Sequence, residues 1–314
     1  MRFVRVFMAK CLPRLFCLGE GERGWALLSV LWTTAMLAMM AAAIQTLTVS
    51  SVRLERRALE RAHVEAALDA GLVRAVLGIN DSRTASRWRI DGMPQNYSFA
   101  GVPMRITIQD EDGLIDLNEA DESIIKALFA TSGLDMQTAQ ALTDRVSSWR
   151  EDSSDDDDSD THSLNGGTDA DYATAGRFYK PRHGPFQTVD ELNLVLGMTP
   201  KLFARIKPAL TVYSKNANPD RNVAPREVLQ ALFQNDPSQV DKFLAQRAGL
   251  MPSGQSTDSD DTTAPGTMSS DESVAGHSFT IRIEAQIAGH RSVRNAVIEL
   301  TEDTNKPYLV EAWE

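Results

Sequence analysis

The chain has 314 residues, 32 basic and 43 acidic, for a formal net charge of −11. A body this acidic repels phosphate backbones, which argues against nucleic-acid binding. Both cysteines, Cys11 and Cys17, lie in the first 24 residues, so a chain cut after Gly24 has no thiol for catalysis, disulfides or zinc.

Residues 1–24 read as a basic leader, with Arg2, Arg5, Lys10, Arg14 and Arg23 against Glu20 and Glu22. Removing it leaves 27 basic and 41 acidic residues. From Trp25 to Ile44 only Ser29, Thr33 and Thr34 are polar. As a helix this run covers about 30 Å, the thickness of a hydrocarbon core. The basic leader argues for a cytoplasmic N-terminus, although Arg53, Arg56, Arg57 and Arg61 put positive charge on the other flank as well. A secretory signal peptide cleaved near Ala41-Ala42-Ala43 is the competing reading. The length of the apolar run and the unbroken helical period beyond it favour an anchor.

That period continues through RLERRALERAHVEAALDAGLVRAVLGI, where Val64, Leu68, Leu72 and Val76 form one apolar face. Arg61 and Glu65 are spaced for an i, i+4 pair. The pattern predicts one helix from about Trp25 to Ile79, half in lipid and half on a sheet. Val102, Met104, Ile106 and Ile108 then alternate with polar residues as a half-buried strand does.

From Leu114 to Leu250 the period is helical. One hairpin is centred on Ser132-Gly133. A second is centred on Gly197, with Thr188 as N-cap of a helix starting at Val189. A third follows Pro225. Met251–Gly276 has no period and reads as a flexible linker. Beyond it, Phe279, Ile281, Ile283 and Ile287 share a face, Ala288-Gly289-His290 makes a turn, and Ala296, Ile298 and Leu300 begin a second strand's inner face. Tyr308, Val310 and Ala312 suggest a third strand. Trp88, Trp149 and Trp313 read as core anchors.

Residues 151–160 contain Glu151, Asp152, Asp155, Asp156, Asp157, Asp158 and Asp160. Such a run is ordinarily a solvated loop. The functional reading is calcium, which takes several carboxylate and carbonyl oxygens. An EF-hand register from Asp156 fails, with Thr161 at the sixth position and Gly167 at the twelfth. His63, His162, His183, His277 and His290 have no zinc-motif spacing.

Four stretches, in order, carry a resemblance to a family. They are RGWALLSVLW, DEDGLIDLNEAD, WREDSSDDDDSDTHSLNGGTDADY with PFQTVDELNLVLGM, and ANPDRNVAPREVLQAL. The chain resembles the K-type minor pseudopilin of the type II secretion system. The resemblance implies an α+β fold: a pilin-like N-terminal helix on an antiparallel sheet, with a large all-α, SAM-like or helix-hairpin domain inserted between strands. The expected organisation is a leader at 1–24, a transmembrane helix at 25–45 and helix plus first strands at 46–113. The insert follows at 114–250, the linker at 251–276 and the last strands at 277–314.

The resemblance further implies cleavage between Gly24 and Trp25 by the prepilin peptidase and methylation of the new amine, although Trp25 stands where Phe or Met is more usual. It implies calcium in the acidic loop, with Asp152, Asp169 and Asp171 matching the family pattern best and Asp155, Asp156 and Asp158 as further candidates. It implies a non-enzymatic role at the tip of a periplasmic pseudopilus, initiating its assembly for export across the outer membrane. The implied partners are the I-type and J-type minor pseudopilins, the major pseudopilin and the inner-membrane assembly platform. The bulk of the chain would be periplasmic on a single inner-membrane pass. Pilins carry glutamate at mature position five, where it pairs with the amine of the subunit ahead. Here that position is Ser29, as suits a subunit with nothing ahead of it. Two alternatives stand beside this reading: a membrane-anchored helix-hairpin-helix DNA-binding protein of uptake type, and a metal-dependent hydrolase using the Asp cluster.

Overall fold

The computed structural model describes residues 23–81, 87–150, 167–248, 275–287, 290–303 and 305–313. The chain divides into two compact units, the first ending at His63 and the second beginning at Val64.

Helix α1 runs from Arg23 to Ile79. Trp25–Ala43 is long and apolar enough to cross a membrane, and its side chains are exposed, Trp25 at 79%, Trp32 at 73% and Met39 at 76%. Water would not tolerate such a face, whereas lipid would. The i, i+4 pair on the polar stretch that follows is Arg56–Glu60 at 3.0 Å. Glu65 does not pair with Arg61 among the described residues. It pairs instead with Arg294, which also takes Asp69.

In the second unit, the end of α1 packs on a five-stranded antiparallel sheet. Its strands are β1 (Asp91–Phe99), β2 (Val102–Asp110), β5 (Ser278–Ile287), β6 (His290–Leu300) and β7 (Tyr308–Trp313), ordered β1-β2-β5-β6-β7. Leu68, Leu72, Val76 and Ile79 are buried against Ile106, Ile108, Phe279, Ile281, Ile283 and Ile298. Each such side chain contributes about 1.5–3 kcal/mol on burial. Gly71 lets the helix come close, since a Cβ there would lie 3.1 Å from Ile283 Cγ2. Gly78 takes the Trp88 ring, which a Cβ would meet at 2.5 Å.

β2 alternates as its sequence demands, with Val102, Met104, Ile106 and Ile108 inward. β1 is an additional strand that its sequence hides. Gly92 and Pro94 interrupt it, and a register shift between Asp91 and Pro94 absorbs them, as an edge strand permits. β7 departs from expectation too. Val310 is 37% exposed and Trp313 57%, so Trp313 is an edge residue rather than a core anchor. A register shift between Val297 and Ile298 accompanies this pairing. The Ala288-Gly289 turn and residues 251–274 of the expected linker lie outside the described residues.

Between β2 and β5 lies the largely helical region, with its own core. It holds α2 (Glu122–Thr131), α3 (Met136–Arg150), α4 (Asp169–Thr174), α5 (Pro200–Ile206), α6 (Arg226–Leu232) and α7 (Pro237–Arg247). The Ser132-Gly133 hairpin forms as predicted, with Gly133 at φ +101°. The helix expected from Val189 is instead a 3₁₀ turn, Val189–Leu194, and the Thr188 side chain makes no cap bond. Thr199 is the working cap, accepting from Leu202 N at 3.3 Å, with Pro200 in the first turn of α5. Two short parallel strands, β3 (Ile115–Asp116) and β4 (Leu210–Thr211), close this region. They have too few residues to show a period.

The helical region is tied to the sheet by polar groups. Gln109 Nε2 donates to Val223 O at 2.9 Å, and Asp220 N donates to Asp112 O at 2.7 Å. Arg247, in the last turn of α7, donates to Ala224 O at 2.7 Å and lies 3.6 Å from the buried Asp91 carboxylate of β1.

Candidate functional site

The acidic segment leaves from the end of α3 and returns at Gly167, so those two points define its stem. Trp149, 3% exposed, stacks on Phe186 with centroids 6.0 Å apart and leans on Tyr172 at the same distance. Asn118 clamps Phe186 from both sides, accepting from its N–H at 2.7 Å and donating to its carbonyl at 3.0 Å. Arg150 Nη1 gathers the carbonyls of Leu117, Asn118 and Ala120 at 3.2, 3.3 and 3.0 Å. On the return side, Gly167 lies so close to Ser148 that a Cβ would sit 2.6 Å from its Cβ and Oγ.

Thr168 then opens α4 with a reciprocal cap: Asp171 N donates to Thr168 Oγ1, while Thr168 N and Oγ1 donate to Asp171 Oδ2. Those bonds hold the Asp171 carboxyl below its usual range. Asp169 accepts from Lys180 on one oxygen and faces His183 Nε2 at 3.1 Å on the other, and the Lys180 bond is the larger cause of its lowered pKa. The structure thus brings two of the six predicted ligands into one helical turn. Asp152, Asp155, Asp156 and Asp158 lie outside the described residues.

The donor set suits a hard cation. Both carboxylates are held ionised and oxygen is the donor calcium prefers. Asp171 Oδ2 is committed to the cap, and Asp169 would exchange Lys180 for the ion. Sequence reading gave no role to Lys180, Asn118 and Arg150, and weighed His183 only for zinc spacing. The Thr168-x-x-Asp171 spacing was a legible signal for the cap; the others meet only in three dimensions.

At the other functional position, Ser29 Oγ donates to Ala26 O at 2.9 Å. The bond reaches three residues back within the same helix and satisfies the hydroxyl there. Gly24 and Trp25 lie in the first turn of α1.

Residues 106–215 match the family model of type II secretion system (T2SS) protein K, a span running from within β2 to just past β4. A chain of the crystal structure of the GspK-GspI-GspJ complex from the enterotoxigenic Escherichia coli type 2 secretion system has a similar fold, with TM-score 0.52 at 16% identity, covering 82% of this chain and 98% of that one. The type II secretion system protein K of Pseudomonas aeruginosa is 24% identical over 250 residues, 73% of each chain. In sequence and fold the chain is similar to type II secretion system protein K. The homologues and the fold indicate a protein K minor pseudopilin, and the DNA-binding and hydrolase alternatives gain no support. Protein K is an inner-membrane-anchored periplasmic component, with which the exposed apolar run of α1 is consistent.

Proposed function

We propose that this protein K occupies the leading end of the periplasmic pseudopilus and initiates its assembly. The observation that carries this is Ser29: its hydroxyl is satisfied by Ala26 of its own helix and asks nothing of a neighbouring subunit. A glutamate at that depth would need a partner amine. The leader is removed between Gly24 and Trp25 by the prepilin peptidase, and the Trp25 amine is methylated. The chain crosses the inner membrane once with its N-terminus cytoplasmic, catalyses no reaction, and joins I-type and J-type minor pseudopilins above the major pseudopilin and the assembly platform. Calcium binds the acidic loop through Asp169 and Asp171 together with Asp152 and the neighbouring run, neutralising carboxylates that otherwise repel one another.

Electron microscopy of reconstituted filaments carrying a gold-labelled chain tests the placement. Label at one filament end is expected, and label along the shaft overturns it. Mass spectrometry of the mature protein should find a methylated Trp25 at the N-terminus.

A further inference from the structure

Where β2 runs into the helical region, Asp110, Glu111 and Asp112 follow one another, and the first two are buried at 2% exposure. His277 comes from the other side, just ahead of β5, the strand antiparallel to β2. Its Nδ1 lies 3.0 Å from Asp112 Oδ2 and 3.9 Å from Asp110 Oδ2. One donor atom from each of the three residues falls within 4.8 Å of the others. Asp112 N donates to Asp110 Oδ1 at 3.0 Å, whereas Asp110 Oδ2 accepts no hydrogen bond among the described residues and is aimed at His277. Asn216 Nδ2 donates to the second Asp112 oxygen at 2.8 Å, fixing the carboxylate as an outer ligand partner would.

We infer that Asp110, Asp112 and His277 form a binding site for a divalent transition-metal ion of the zinc class, at the seam between the sheet and the helical region. Ligands about 2.0–2.2 Å from a tetrahedral ion stand about 3.3–3.6 Å apart, between the 3.0 and 3.9 Å that separate His277 Nδ1 from the two carboxylates. An imidazole nitrogen beside two carboxylates selects zinc-like ions over calcium, which takes oxygen. Three protein ligands leave the fourth position to water. The site joins the strand entering the helical region to the residue leaving it, so the ion would clasp both ends of that region. This site is separate from the acidic loop and independent of the calcium reading.

The test uses the full chain in detergent, stripped with chelator and then held in saturating calcium chloride to occupy oxygen-only sites. Titration with cobalt(II) chloride should give the strong visible absorption of four-coordinate cobalt, saturating at a single equivalent and bleached by zinc chloride. His277→Ala and Asp110→Asn should each weaken cobalt binding at least about tenfold, while His162→Ala and His183→Ala leave it unchanged. Circular-dichroism melting checks that each variant is folded, and His277→Gln serves if His277→Ala is not. A titration unaltered by the His277 substitution, or no four-coordinate spectrum, would mean that His277 and Asp112 are only a structural imidazole–carboxylate contact.

Discussion

Gly167 and Ser148 touch across the stem of the acidic loop, where the backbone of one leaves no room for a Cβ beside the side chain of the other. Chain that departs after Arg150 therefore returns to within a residue or two of its point of departure. Closing the loop at its base lowers the entropy lost when its carboxylates converge on an ion. Gly167→Ala should cost roughly 1–3 kcal/mol through this clash and weaken calcium binding. Ser148→Gly in the same chain should recover part of the loss despite about 0.5 kcal/mol of lost helix propensity. Thermal melts of the two single variants and the double variant, with and without calcium chloride, measure the coupling.

Ser29 predicts an asymmetry between two substitutions. Ser29→Ala removes only a bond internal to α1, and secretion by cells carrying that variant as their sole protein K should be unchanged. Ser29→Glu places an unpaired carboxylate in the apolar run, at a cost of roughly 2.5–3.5 kcal/mol for an acidic side chain near mid-bilayer. Secretion measured in the culture medium should fall. Equal activity of the two variants would remove the case for the leading position.

Asp236 caps α7, accepting from Ser238 N at 3.0 Å and Gln239 N at 3.3 Å, with Ser238 Oγ and Gln239 Nε2 adding bonds at 2.7 and 2.9 Å. These bonds, the Ser238 hydroxyl foremost, hold its pKa below the usual aspartate value of 3.8. A lowered carboxylate pKa means that the unfolded chain takes up the proton first as pH falls. Its contribution is thus complete above about pH 4 and is lost on acidification through the folded pKa. Asp236→Ala should melt lower at neutral pH, and the gap to the wild-type chain should narrow on descending below pH 4. A constant gap would show that the carboxylate charge has no part in the cap.

The elements legible in the sequence were those with a strong period. Leu68, Leu72 and Val76 mark α1 every four residues, and Val102 to Ile108 mark β2 every two. β1 was hidden because an edge strand buries little and tolerates Pro94. The stretch after Thr188 misled because its apolar spacing suits a 3₁₀ turn as well as a helix, and Gly197 ends it within a few residues. At the acidic loop, composition announced the carboxylates and could not show that Lys180 and His183 cover Asp169. The Asp110–His277 cluster escaped because its members are far apart in sequence and meet only through the pairing of β2 with β5.

That pairing has a wider meaning. β2 and β5 are adjacent from Met104↔Ala285 to Asp110↔Phe279, so everything between them occupies the place of a hairpin turn. The register of β2 against β5 is carried by seven residue pairs within the two strands themselves. A lineage could enlarge, trim or exchange that excursion while the scaffold beneath kept its form, and an experimenter could graft a foreign module at the same doorway.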